Sequence, residues 1–354
     1  MSLRFATPAV IAISGIALLA AVAACSDDRD GFQNAPELVP PLPETDAGEC
    51  PYQCSLDGRS VIQSCDGTVV ETCPETQACG AATCQEPCAA AAADSRSDGC
   101  EFYVQNFAVN DDGCLATFIV NTSVQPVEIG LDQGDRTFDL SKAVWRTNPG
   151  DATLIAHEGP IPAGESVILF VAGPARTPSG SVGERAIACP AGVVPATDGK
   201  ALPRSGIGTS LRLTASAPVS AVAMFPFGGA ASFKPATTLL MPVVTWSKEH
   251  VLVDGWEAAA HSGRPASQIV ASEDGTEITL IAKKPVENGI DVTGGPAGTP
   301  LTYALDKGQY LQFHQQHELV GSIVLSNKPT TIFGGHSCAD IPVVGGACDM
   351  LWQQ

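Results

Sequence analysis

Charged residues are scarce in this chain of 354 residues, and basic residues are scarcer than acidic ones. Lys, Arg, Asp and Glu make up 16% of the sequence, with 19 basic against 38 acidic side chains and a net charge of −19. Nucleic acids and anionic lipid headgroups both require a cationic surface, so this balance argues against either as a partner. The acidic excess is typical of a secreted protein kept soluble by its surface charge.

Aromatic residues are also few, at 6%, which disfavours a stacking platform for sugars. The sequence contains no P-loop, no dinucleotide-binding fingerprint and no His-Glu-x-x-His motif. Ser181 lies in "SGSVG" without the glycine two positions earlier that a nucleophile elbow needs. We therefore predict that the protein is not an enzyme and has no cofactor.

No metal site is predicted either. The pattern "HQQH" places His314 and His317 three residues apart, and residues three apart on a strand face opposite sides of the sheet. We expect both to be surface histidines. The stretches "NDDGC" and "SEDGT" supply carboxylates but lack the alternating oxygen ligands of a calcium loop, and Asp-Gly is a common hairpin turn.

The N-terminus carries the most specific signal in the chain. After Arg4, sixteen apolar residues run up to Cys25, fewer than the ~20 that a membrane-spanning helix needs but typical of a signal peptide. The sequence "VAAC" resembles the bacterial lipoprotein box, in which the cysteine is lipidated and becomes the mature N-terminus. Ser26 stands where Asp would favour inner-membrane retention. We predict a signal peptide over residues 1–25 and a lipid anchor at Cys25 in the bacterial outer membrane, facing the cell surface; the alternative is an ordinary signal peptide.

Residues 26–49 contain seven acidic residues, four prolines and no apolar periodicity, which predicts an unfolded tether. Residues 50–88 contain seven cysteines and too few apolar residues for a core, which predicts a disulfide-rich module. Zinc is disfavoured because paired Cys-x-x-Cys spacings and histidines are missing. Since seven is odd, one cysteine should pair outside the module, with Cys100 the nearest candidate. The disulfide candidates are Cys50, Cys54, Cys65, Cys73, Cys79, Cys84, Cys88, Cys100, Cys114, Cys189, Cys338 and Cys348.

A linker over residues 89–98 precedes a region that is β-like throughout. "GTSLRLTASAPVSAVAMFPFGG" and "GSIVLSNKPTTIFGG" share a glycine, an alternating run, a polar step with proline, a second apolar run and a glycine pair. We predict an all-β protein of two repeated antiparallel β-sandwich-like units, residues 99–229 and 230–354. The alternatives are β-propeller blades, or two unrelated β-stretches with similar turns.

The two copies differ at residues 172–206, an insert whose composition predicts a loop. Long loops in compact domains are uncommon unless they are functional or disordered. We expect binding, if present, to be carried by loops at one end of the repeats, and removal of residues 174–204 to leave the fold intact. A tolerated surface insertion is the alternative.

The order of several motifs resembles the IgGFc-binding protein N-terminal domain family over roughly residues 99–354. The motifs are "GCEFYVQN", "APVSAVAMFPF", "ASFKPATTLLMPVVTWSKEHVLVDGW", "IVASEDGTEITLIA", "LDKGQYLQF" and "GSIVLSNKPTTIFGGHSCADIPVVGGACDML". Together with export, the resemblance implies a disulfide between Cys338 and Cys348 rather than a Cys/His site with His336. Family members usually continue with another β-repeat after the stretch matching "CDMLWQQ", which implies either a shortened member, with a truncated second repeat, or an incomplete gene model.

The bacterial members of this family are mostly predicted lipoproteins without an established role. The predicted lipid anchor, tether, disulfide-rich module and β-repeats together lead to the hypothesis of a non-catalytic cell-surface lipoprotein that presents its β-repeats for adhesion or ligand recognition. Its partners would be the membrane, through the lipid anchor, and an extracellular protein or glycan of unknown identity. The family name by itself does not imply antibody binding. Two other hypotheses stay open: a structural component of the envelope or spore coat without a specific ligand, and an unrecognised hydrolase.

Overall fold

The structure is a computed structural model, and it describes residues 50–106, 113–148, 150–151, 153–173, 188–198, 201–228, 235–255, 257, 263–339 and 349–354. The predicted signal peptide and tether, including Cys25, lie outside these ranges, as does Cys348. The chain divides into Met1–Cys50 and a compact unit Pro51–Gln354. Within the described ranges, no helix is both long enough and apolar enough to cross a membrane.

The disulfide-rich module has small sheets and hardly any apolar core. Its elements are β1 (Tyr52–Cys54), β2 (Ser60–Gln63), β3 (Val69–Thr72), β4 (Ala78–Gly80), β5 (Thr83–Gln85) and α1 (Pro87–Ala93). Strands β1–β3 form one antiparallel sheet, and β4 and β5 form a hairpin. Helix α1 extends into the predicted linker 89–98, because proline suits the first helical position and alanine is the strongest helix former.

The rest of the chain consists of antiparallel strands. In chain order these are β6 (Gly99–Val104), β7 (Leu115–Asn121), β8 (Ile129–Gln133), β9 (Arg136–Thr137), β10 (Val144–Thr147), β11 (Leu154–Ala156), β12 (Ser166–Ala172), β13 (Gly206–Thr209), β14 (Leu211–Phe225), β15 (Ala236–Leu240), β16 (Ser247–Val251), β17 (Pro265–Ala271), β18 (Thr276–Ile281), β19 (Pro300–Leu305), β20 (Gln309–His314), β21 (Ile323–Ala339) and β22 (Asp349–Gln353). A 3₁₀ turn, Val243–Thr245, lies between β15 and β16.

These strands form two sheets with the same internal order. The first contains β12-β7-β14-β8 with β6 and β15 also paired to β14, and the second contains β20-β17-β21-β18 with β16 and β22 also paired to β21. In each sheet the two apolar runs of the repeated motif are one long strand, β14 or β21. Pro218 and Pro329 mark the polar steps, where the strand exchanges one set of neighbours for another.

The long strand joins two layers that close over a shared core, because its two halves belong to different layers. In the first unit, Leu131 and Leu213 from one layer share a core with Ile119 and Leu169 from the other. In the second, Leu280 and Val324 do the same with Ile269, Leu311 and Phe313. The predicted all-β fold of repeated sandwich-like units behind a disulfide-rich module is therefore confirmed.

Strand pairing crosses the predicted boundary between residues 229 and 230. Strand β13 precedes β14 in the chain but pairs with β20 of the second sheet, with Ile207 opposite Leu311. Strand β15 lies in the range predicted for the second repeat but pairs with β14 of the first, with Val222 opposite Leu239. Each sandwich therefore contributes a strand to the other.

Candidate functional site

Disulfide bonds hold both the module and its junction with the first sandwich. The described pairs are Cys54–Cys79, Cys73–Cys84, Cys88–Cys100 and Cys114–Cys189, and Cys50, Cys65 and Cys338 are also disulfide-bonded. The prediction of disulfide bonding is thus confirmed, including the expected pairing of a module cysteine with Cys100. The predicted partner of Cys338, Cys348, lies outside the described residues.

Part of the insert at residues 172–206 packs against the first sandwich. Cys189 and Val193 are buried against Phe170, and Thr197 forms a parallel bridge with Ala172. The amide of Ala196 donates to the carbonyl of Phe170 at 3.0 Å. Residues 188–198 cover one outer surface of the first sandwich, and this packing argues against the expectation that removal of residues 174–204 leaves the fold intact.

Polar and ionisable side chains gather at one end of the second sandwich, where β17 begins and β20 and β21 end. Antiparallel pairing aligns these ends, since Ala266 lies opposite His314 and Pro265 lies opposite His336. The segment after β16 reaches the same end through Gly255, whose amide donates to the carbonyl of Gly335 at 2.9 Å. The loop-end cluster is defined as Asp254, Glu257, Arg264, Lys284, His314, His317, Glu318 and His336.

Asp254 joins three segments of this end. Its Oδ2 accepts from Ser267 Oγ at 3.1 Å and from the amide of Leu319 at 2.9 Å. Its Oδ1 is buried and has no hydrogen-bond partner in the described part of the chain. Burial raises the pKa of Asp254 from 3.8 to about 6, and the charge of Glu318 adds to the increase.

The histidines of the cluster differ in environment. His314 is buried, and burial followed by the positive charge of Arg264 lowers its pKa from 6.5 to about 4, so it is neutral at physiological pH. His336 is also buried; its Nδ1 accepts from the amide of Cys338 at 2.9 Å, so the proton is on Nε2, 3.3 Å from the carbonyl of Glu257. His317 is exposed. The expectation of a surface position is thus wrong for His314, because β20 is covered on both faces.

The exposed part of the cluster is a set of ion pairs. Lys284 Nζ contacts Glu257 and lies 2.7 Å from Glu318 Oε1. His317 Nδ1 lies 3.1 Å from Glu257 Oε2. Lys284, followed by His317, lowers the pKa of Glu257, so this carboxylate stays ionised. Both signs of charge are therefore presented to solvent at fixed positions.

Among the described residues, no group of three or more His, Cys, Asp or Glu side chains is arranged to hold a metal ion. His314 and His317 in particular do not converge, since His314 is buried and His317 is exposed and hydrogen-bonded to Glu257. The arrangement suits recognition by charge and hydrogen bonding. Sequence reasoning missed Asp254 and Glu257, although the alternation "VLVDGWE" shows two acids directly after a strand.

Residues 236–354 match the family model described as IgGFc binding protein. The resemblance stated from the motifs is thereby confirmed over this range, which covers β15 to β22 and contains the whole loop-end cluster. For the first sandwich the resemblance stays a prediction. No curated protein matches the chain, and no solved structure matches it either.

Proposed function

We propose that the protein is a non-catalytic, lipid-anchored binding protein of the bacterial outer membrane, and that its loop-end cluster contacts an extracellular protein. The observation that carries this proposal is the family match over residues 236–354, since the family description names a binding protein. The cluster lies entirely in that range, and Glu257 and Lys284 offer exposed charges on a rigid β-scaffold.

The alternating charges of the cluster suit a protein surface that carries charged groups better than they suit an apolar ligand. Glu257, Lys284 and Glu318 alternate in sign and are already paired within the chain, so little side-chain freedom is lost on binding. Such exposed charges mainly steer encounter and select partners. Binding through them should weaken as salt screens the interaction, over a Debye length of ~8 Å at physiological ionic strength.

The binding proposal is tested with the Fc fragment of immunoglobulin G as first probe, followed by other secreted proteins. Glu257→Lys and Glu318→Lys combined with Lys284→Glu keep both internal pairs of residue 284 but reverse all three signs, and should weaken binding about tenfold or more at low salt. Glu165→Lys, an exposed change in the first sandwich, is the matched control and should bind as the wild type. Equal binding by both variants would remove the cluster from the proposal.

A structural role in the envelope is the competing proposal, favoured by the number of disulfides along the chain. Wild-type protein that binds neither the Fc fragment nor any other secreted protein would support that role instead.

The lipid anchor is tested separately. Wild-type protein should partition with membranes and into detergent, whereas Cys25→Ser should be soluble or accumulate as a precursor. The reason is that each buried CH₂ of an acyl chain contributes ~0.8 kcal/mol, so several chains on one cysteine hold a protein firmly. Identical partitioning of the two proteins would refute the anchor.

A further inference from the structure

One sheet surface of the first sandwich has a counterpart in the second, and the two differ in chemistry. On the first, Arg212 lies between Tyr103 on β6 and Asp132 on β8. On the second, the register places Ile323 between Val251 on β16 and Ile281 on β18. An aromatic and charged row in one sandwich is therefore an aliphatic row in the other.

The first of these surfaces is covered by the second sandwich. Tyr103 is fully buried, with its ring 5.3 Å from that of Trp246. Lys307, in the turn between β19 and β20, lies 3.3 Å from Glu101. The amide of Ser210 donates to the carbonyl of Gly308 at 2.7 Å. A surface of this type thus serves, within this chain, as a contact between β-sandwiches.

The second surface is exposed. We define the outer face as Val251, Val253, Val320, Ile323 and Leu325, whose exposed fractions range from 38% for Ile323 to 56% for Val251. Ile281 is half-buried beside them. Contiguous exposed apolar patches are uncommon on monomeric proteins and mark interaction surfaces.

We propose that the outer face is the interface of a homodimer, in which a second copy of this chain seats the same face against it. Isoleucine stands at the positions of Arg212 and Asp132, so an ion-pairing partner is excluded and an apolar one is required. The outer face itself offers such an apolar surface. A second copy related by a two-fold axis presents the same apolar face and thus supplies the apolar partner. Sheets that pack face to face lie ~10 Å apart.

The charges around the face fit the same arrangement. Along β18 and just beyond it, Glu277, Thr279, Ile281 and Lys283 alternate onto one side, so one end of the face is acidic and the other basic. Glu249, opposite Leu325, adds a second acid toward the acidic end. A two-fold axis that lies between the two sheets, parallel to their planes and perpendicular to the strands, brings Glu277 of one copy toward Lys283 of the other. The face spans only the three strands β16, β21 and β18, ~10 Å at ~4.8 Å per step, so the dimer should be weak.

The test is sedimentation equilibrium of the purified full chain over a range of concentrations. Wild type should show reversible dimerisation in the micromolar range. Ile323→Lys should weaken it by about tenfold or more, since it places a charge in an apolar contact, while thermal unfolding stays unchanged because Ile323 is exposed. Val120→Lys, an equally exposed change in the first sandwich, is the matched control and should dimerise as wild type.

A charge exchange tests the geometry. Lys283→Glu alone should weaken dimerisation, and Lys283→Glu with Glu277→Lys should restore it, because the swapped charges again meet across the axis. A wild type that stays monomeric at all concentrations overturns the proposal, as does an Ile323→Lys variant that dimerises like wild type. Failure of the exchange to restore association overturns the face-to-face geometry.

Discussion

In the first sandwich the outer surface of strands β7 and β12 carries Phe118 and Phe170, which pack around Phe227 with ring centroids 6.0 and 4.9 Å away. In the second sandwich the equivalent positions on β17 and β20 hold Gln268 and His314, which are also buried. Aromatic packing in one unit thus stands where buried polar groups stand in the other.

The difference follows from what covers each surface. Residues 188–198 cover the first surface, held by Cys114–Cys189 and by Val193, which supplies an apolar side chain. Residues 201–205 lie against the second, and they supply backbone carbonyls: Gln312 Nε2 donates to Leu202 and Arg204 at 3.0 and 2.9 Å. A buried amide is tolerated only where such acceptors exist.

The core-facing positions of the same strands differ far less. Ile119 and Leu169 in the first unit correspond to Ile269 and Phe313 in the second, and all are buried. The repeated unit thus keeps an aliphatic core, whereas each outer surface is matched to its own covering segment.

Removing the disulfide bond that holds residues 188–198 on the first sandwich should have the largest effect on stability. Cys114→Ser with Cys189→Ser opens a loop with a sequence separation of 75, which should lower the free energy of unfolding by about 4 kcal/mol and the melting temperature by roughly 10 °C. Calorimetry measures both. The control is the double variant Cys73→Ser with Cys84→Ser, which removes a disulfide bond with a sequence separation of 11. It should destabilise only the disulfide-rich module. If both double variants had the melting temperature of wild type, the disulfide bond would not be what holds the covering segment on the first sandwich.

The pH dependence of stability should separate Asp254 from His314. Asp254 has a folded pKa of about 6 against 3.8 unfolded, so its contribution is present below pH 3.8 and is lost as the pH rises through 6. His314 has a folded pKa of about 4 against 6.5, so its contribution is present above pH 6.5 and is lost as the pH falls through 4. The two trends oppose each other.

Single variants at these two positions should therefore change the pH dependence of the free energy of unfolding in opposite directions. As the pH rises from about 4 to 6.5, the free energy of unfolding of Asp254→Asn should increase relative to that of wild type. Over the same range the free energy of unfolding of His314→Gln should decrease relative to wild type. Each change should be at most about 3 kcal/mol. Urea unfolding at several pH values measures this. Parallel curves for all three proteins would contradict the assigned burial of both groups. The first sandwich has Phe170 at the position of His314 and should contribute no such slope.

Gln312→Leu should cost about 2 kcal/mol although it makes the site more apolar. The change leaves the carbonyls of Leu202 and Arg204 and the amide of Gln268 without their partner. Ile168→Val at the equivalent position is the control and should cost about 1 kcal/mol. A Gln312→Leu variant as stable as wild type in denaturant titration would show that covering segments do not dictate the chemistry of these surfaces.

The smallest effect is expected at Arg212, which lies 2.7 Å from Glu101 and 3.2 Å from Asp132. Arg212→Ile introduces the residue found at the equivalent position of the second sandwich and should cost about 1 kcal/mol, because partly exposed ion pairs contribute little individually. The reciprocal Ile323→Arg should change stability by less than ~0.5 kcal/mol, since that side chain is exposed. A larger cost for the second change would reverse the assignment of covered and exposed faces.

Much of the fold was predictable because it depends on short-range patterns. Alternating runs, proline steps and glycine turns predicted the β-class and the repeated strands, and the density of cysteines in residues 50–88 predicted disulfides. The site was predictable only in part. The family motifs pointed to the range that contains it, but Asp254, Glu257 and His336 come together through the alignment of strand ends that are far apart in sequence.

The class of fold, the duplication and the disulfide-rich module follow from the sequence alone, since periodicity, turn residues and cysteine spacing are local properties of the chain. The pairing of β13 and β15 with the other sheet, and the packing of residues 188–198 on the first sandwich, became visible only in the folded chain. The tertiary structure also decided that Val251 is exposed while the equivalent Tyr103 is buried. Those outcomes depend on which surfaces meet, and contacts between distant segments leave no periodic signature in the sequence.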